Sequence, residues 1–127
     1  MILKIEVAPG ELIDKITILE IKLERIRDEE KVRNVQREHA LLTRVADVVS
    51  TSPELTMLRS ELKQINEVLW RIEDDIREQE RRQDFGPEFV RLARAVYRTN
   101  DERARVKREI NRLLNSTLVE EKAYAPY

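Results

Sequence analysis

Cysteine is absent from the 127 residues, glycine occurs twice, histidine once, and aromatic side chains make up only 5%. Without cysteine there is no disulfide framework, no thiolate metal site and no cysteine nucleophile, and the composition fits a reducing compartment. Two glycines are too few for a loop that cradles phosphates, and no serine is flanked by glycine as a nucleophile elbow requires. The single histidine, His39, has no second histidine or cysteine with which to share a metal. It falls between Val35 and Leu42, where packing alone accounts for it. No stretch approaches the roughly 20 apolar residues needed to cross a bilayer. The apolar run within Met1 to Pro9 is too short for a signal peptide. The chain reads as cytoplasmic and soluble.

Charge, by contrast, is abundant. Asp, Glu, Lys and Arg make up 39% of the chain, 24 basic against 25 acidic residues. So even a balance gives no non-specific attraction to nucleic acid or to an anionic membrane, and neither is expected as a partner. High charge with helical periodicity and little glycine is the profile of long, solvated amphipathic helices. At this length residues 1–127 are expected to form one helical domain around a shared core.

Alternation of Leu3, Ile5 and Val7 with Ile2, Lys4 and Glu6 predicts a short strand that Pro9 and Gly10 stop. A lone strand needs a partner. The only other plausible extended segment is Thr117 to Tyr124, so the two ends are expected to pair, within one chain or across a dimer. From Glu11 the period becomes helical. Leu12, Ile16, Leu19, Leu23 and Ile26 form a seam that Ile13, Ile18 and Ile21 widen, which implies burial on two sides. Asp28 is a good N-cap for a second helix ending near Ser50, with Val35, Leu42, Val45 and Val49 inward; the alternative is a single helix bent at this point.

Ser52 as cap and Pro53 at the first helical position start a third helix, running to about Arg82. Leu55, Leu58, Leu62, Ile65, Leu69, Ile72 and Ile76 descend it in alternating steps of three and four, the spacing of a coiled-coil seam. Gln83 to Pro87 must turn. A fourth helix then runs from about Pro87 to Leu114, with Phe89, Leu92, Val96, Val106, Ile110 and Leu113 inward. The fold class expected is all-α: an antiparallel bundle of about four helices built on a long hairpin, plus the short N-terminal strand.

Two polar rows flank the seams. Asn66, Trp70, Glu73 and Arg77 lie along the third helix, and Tyr97, Asn100, Ala104, Lys107 and Asn111 along the fourth. In an antiparallel hairpin the rows meet, with Asp14, Lys15 and Lys22 of the first helix nearby. One reading is a pocket in which Arg77 and Lys107 hold an anion beside a Trp70 or Tyr97 wall. The other is a layer of interhelical hydrogen bonds that sets register, with Glu73 and Arg77 a simple i,i+4 pair. Glu11 with Asp14, and Asp75 with Glu78, have the three-residue spacing that helical nucleotide pyrophosphohydrolases use for magnesium. Acidic residues in a first helical turn also answer the helix dipole, so they are weak ligand candidates, and no metal or cofactor is expected. Arg91, Arg98, Arg105 and Arg112 recur every seventh residue. Glu102 and Glu109 follow two of them by four, which makes a laced, solvated face the better reading than a phosphate-binding one.

Several of these strings resemble an uncharacterised family of small bacterial proteins, domain of unknown function 6165. The segment from Pro9 to Lys22 resembles its opening. Leu69-Trp70-Arg71-Ile72-Glu73-Asp74-Asp75-Ile76-Arg77 resembles its middle block. Leu92 to Tyr97, then Asn100-Asp101, Arg103-Ala104 and Lys107-Arg108, are similar to its third block, and Glu120-Glu121-Lys122 with Tyr124 to its tail. The resemblance spans nearly the whole chain and is least between Arg33 and Glu54. It implies no activity. It implies a sugar-related context, with a partner protein linked to polysaccharide synthesis.

Two functions follow as expectations. The first is a non-catalytic protein-interaction module acting as a homodimer, because the third helix's seam and the first helix's wide face offer more apolar surface than one small bundle hides. The second is a small-molecule site or small enzyme for an anionic ligand such as a sugar phosphate. It would use Trp70, Glu73, Arg77, Tyr97, Asn100, Lys107, Asn111, Asp14 and Lys15.

Overall fold

The computed structural model describes residues 1–127 and is all-helical: α1 Pro9–Arg25, α2 Glu29–Ala46, α3 Pro53–Arg81 and α4 Pro87–Leu113. The helix starts follow from local chemistry. The Asp28 carboxylate accepts the Lys31 N–H at 3.0 Å and the Ser52 hydroxyl accepts the Leu55 N–H at 3.1 Å, each meeting a donor that the first helical turn leaves unpaired. Proline stands in the first turn of α1, α3 and α4, where its missing N–H is no loss. The two long helices end alike. Gln83 and Asn115 adopt positive φ of 55° and 52°, and the next N–H closes back on the helix, Asp84 to Gln79 and Ser116 to Asn111.

At 1.5 Å per residue α3 is about 43 Å long and α4 about 40 Å. They run antiparallel through the turn at 83–86. The α3 seam is inward along its whole length: Leu55, Leu62 and Ile72 are buried and Leu58, Ile65, Leu69 and Ile76 half-buried. Leu62, Val106 and Ile110 are wholly enclosed and, with Ile13 and Leu55, form the densest part of the core. α1 touches all three other helices, which explains its broad apolar face. α2 touches α1 alone and buries only Val35.

Four expectations are corrected. Met1 to Val7 is not a strand: no backbone group in it is hydrogen-bonded, and it does not pair with the tail. The tail after Asn115 instead folds back along α4, held by side chains, so the alternation of the arm finds no ladder within its own chain. Val45 is 52% exposed, because α2 has only one neighbouring helix to bury it. Leu113 is 39% exposed and Leu114 takes the inward position, as the helix ends there. In α4 the arginines pair backwards, Arg91 with Glu88, Arg105 with Glu102 and Arg112 with Glu109, each at i,i+3. No helix is long and apolar enough to cross a membrane.

Candidate functional site

A buried polar cluster lies where α1, α3 and α4 meet. Asp14 and Thr17 share one face of α1, three residues apart, and are 1% and 0% exposed. The Thr17 hydroxyl donates to the Asp14 carbonyl oxygen at 2.8 Å. From α3 the Asn66 amide donates to Asp14 Oδ1 at 2.9 Å and to Thr17 Oγ1 at 3.0 Å. From α4 Arg103 grips Asp14 through two N–H groups, Nε to Oδ1 at 2.9 Å and a terminal nitrogen to Oδ2 at 2.5 Å. Every polar group finds a partner, as burial demands. The hydrogen bonds that Arg103 donates to Asp14 raise the guanidinium pKa above its ordinary value, so Arg103 keeps its charge despite partial burial.

A second set sits one turn towards the end of α4. Lys107 is 7% exposed, and its ammonium lies 2.7 Å from Glu11 and 2.8 Å from Glu120 of the tail. Burial works against that charge, but the hydrogen bonds that Lys107 donates to Glu11 and Glu120 outweigh it and the pKa ends above its ordinary value. Asn111 accepts the Gly10 N–H at 2.7 Å. The approach is so close that a Cβ on Gly10 would stand 2.5 Å from the Lys107 carbonyl oxygen.

These clusters divide the predicted site. Trp70, Glu73, Arg77 and Asn100 line one open groove of about 500 Å³ with Asn66 and Arg103, over a floor that includes Ile18, Ile21 and Leu69. Glu73 and Arg77 pair with each other at 3.1 Å in solvent. Tyr97 and Lys107 face a different groove, of about 1050 Å³, between α4 and the tail. Asn100 borders both. In the second groove Tyr127 packs edge-on against Tyr97 at 5.2 Å and donates its hydroxyl to Asp101 at 2.7 Å, and Lys122 reaches the same carboxylate at 3.0 Å. Those two hydrogen bonds hold Asp101 below the usual carboxylate range.

Asn111 therefore serves as an interhelical tie, and Asp14 as the anchor of Arg103. Lys15 is exposed and reaches only Glu11, at 3.7 Å. Three of the four magnesium candidates are engaged otherwise, and Asp75 is exposed. Glu11 turns to Lys107 and Asp14 to Arg103, while Glu78 is drawn to about 2 by hydrogen bonds from Arg81 and Arg82. Arg103 is the residue that sequence reasoning passed over. Its position was legible: it stands three after Asn100 and four before Lys107, on the same row as both.

The profile of a family of unknown function, DUF6165, matches residues 3–127. The chain belongs to that family. No curated protein and no solved structure matches it. The family's profile begins within the N-terminal arm and reaches the last residue of the tail, so both non-helical ends fall inside the matched region.

Proposed function

We propose that this member of the family is a cytoplasmic, non-catalytic helical module, one domain over residues 1–127, that works as a homodimer and docks a partner protein. The observation that carries the reading is the exposed area. A compact monomer of this mass exposes about 7,100 Å², and this chain exposes 9365 Å². The excess, about 2,300 Å², is more than the roughly 600–1,000 Å² that each partner contributes to a standard interface. Ile2, Leu3, Ile5, Leu41, Val45, Val48 and Met57 are among the exposed apolar side chains. Apolar side chains left in water in this number favour a contact role.

The test is the mass in solution by light scattering, expected at twice the 15.1 kDa chain. A monomer at tens of micromolar, roughly the range in which weak but specific complexes assemble, removes the reading.

A second reading, a small-molecule site for an anionic ligand, is favoured by one arrangement: Trp70, Arg77, Asn100 and Arg103 share a groove. A thermal-shift panel of nucleotides, sugar phosphates and divalent ions tests it, since a ligand that binds only the native state raises the melting temperature. No shift across the panel leaves the interaction module alone.

A further inference from the structure

The N-terminal arm is the most conspicuous unsatisfied part of the molecule. Ile2, Leu3 and Ile5 are 77%, 77% and 80% exposed, and no backbone group of residues 1–7 is hydrogen-bonded. Seven residues with this alternation have the sequence pattern of a strand and no partner with which to form one. The tail is no receptor within the chain, because it is clasped to α4 by Lys107, Asp101 and Tyr97.

The charge pattern of the arm says what would pair with it. Laid antiparallel on a second copy with Ile5 opposite Ile5, the segment sets Lys4 opposite Glu6 twice and Leu3 opposite Val7 twice. All six odd-numbered side chains, Leu3, Ile5 and Val7 of each copy, then share one face, and both ion pairs share the other. Neighbouring registers lose this. Centring the pair on Lys4 puts lysine against lysine, and centring it on Glu6 puts glutamate against glutamate. A one-residue slip mixes the faces. The segment is complementary to itself in one register only.

A two-stranded ribbon alone is marginal and needs an apolar floor. The arm is rooted beside the end of α4, where Gly10 is tied to Asn111, and Leu113, Leu118 and Val119 are exposed within eight residues of that tie. The Ala8 carbonyl is already taken by the N–H groups of Glu11 and Leu12, which limits the pairing to residues 2–8.

We infer that the arms of two copies pair as an antiparallel two-stranded ribbon about a two-fold axis at Ile5, and that this ribbon is the homodimer contact. The inference rests on the homodimer reading above and makes it specific. Because the chain has no cysteine, the register can be read by crosslinking the full-length protein. Ile5→Cys gives a disulfide-linked dimer under mild oxidation. Leu3→Cys alone does not, since the two copies of that position lie four residues out of register, beyond the roughly 7 Å that a disulfide spans. An equal mixture of Leu3→Cys and Val7→Cys crosslinks again. Lys4→Glu raises the dimer dissociation constant about tenfold, as two attractive cross-strand pairs become repulsive, and adding Glu6→Lys restores it.

A dimer by light scattering in which Ile5→Cys fails to crosslink, or in which Lys4→Glu has no effect, overturns the ribbon and leaves the homodimer reading standing. A monomer removes both. Crosslinking of Leu3→Cys as efficient as that of Ile5→Cys overturns the register.

Discussion

Replacing Asp14 by asparagine changes one oxygen to an amide nitrogen at the centre of the buried cluster. Asp14 Oδ2 receives a guanidinium N–H at 2.5 Å, and Oδ1 receives both Arg103 Nε and the Asn66 amide. In Asp14→Asn either orientation of the new amide sets a donor against a donor, and Arg103 loses its counter-charge. Removing one partner of a fully buried pair costs about 3–5 kcal/mol. The Arg103 side chain keeps 30% of its exposure, so water recovers part of that, and about 2–3 kcal/mol remains. For a domain of this size the melting temperature falls by roughly 10 °C, still within the stability of an ordinary domain. Urea unfolding followed by far-UV circular dichroism gives the free energy. The double variant Asp14→Asn/Arg103→Gln closes a thermodynamic cycle, with a coupling of at least about 1 kcal/mol expected. A loss below about 0.5 kcal/mol, with no coupling, would refute the claim that this pair holds α1 to α4.

Three further outcomes follow. Gly10→Ala gains at most about 1 kcal/mol of helix propensity but drives a Cβ to within 2.5 Å of a backbone oxygen, so a net loss of about 1–2 kcal/mol is expected by the same unfolding assay; stabilisation would show that the α1–α4 contact yields. The tail clasp depends on pH at both ends. Asp101 is held below its ordinary 3.8, so its contribution is present above that value and lost as pH falls through the lower folded one. The Tyr127 phenol is raised above 10.0 by its hydrogen bond to Asp101, so its contribution is present below 10.0 and lost as pH rises through the folded value; nuclear Overhauser contacts between Tyr97 and Tyr127 should persist between these limits, and their loss near neutrality contradicts the clasp. Ser52→Ala removes the cap of α3 and lowers stability by about 1 kcal/mol, read from the urea midpoint, whereas Ser60→Ala, on an exposed mid-helix position, stays within about 0.5 kcal/mol.

Helices and most of their ends were legible because each depends on near neighbours in sequence. Asp28, Ser52 and Pro53 start helices by accepting or lacking an N–H a few residues away, and Asn115 ends one by tolerating positive φ. The seam from Leu55 to Ile76 announced its own burial through its period alone. The polar rows were legible as rows, and Asn66, Asn111 and Lys107 were rightly placed beside the seams. Their partners were not. Whether Lys107 meets Trp70 or Glu120 depends on the rotation of α4 against α3 and on the path of the tail, neither of which leaves a local trace. Arg103 was passed over for the same reason: on its row it looks like any solvated arginine, and only the approach of α1 supplies the buried carboxylate that holds it.

The amino-acid sequence by itself settled the all-helical class, the starts of α2, α3 and α4 and most of the inward face of the long hairpin, because propensity, capping and apolar period act over one or two turns; the end of α2, expected near Ser50, falls at Ala46. Tertiary structure alone decided that α2 leans on a single neighbour, that Asp14 faces Arg103, that Trp70 and Tyr97 line separate grooves, and that the arm finds no strand in its own chain. Those outcomes depend on how rigid cylinders rotate and settle on one another, and groups 52 and 101 residues apart, such as the Asn66 amide with Asp14 and the Gly10 N–H with Asn111, meet only after that packing is complete.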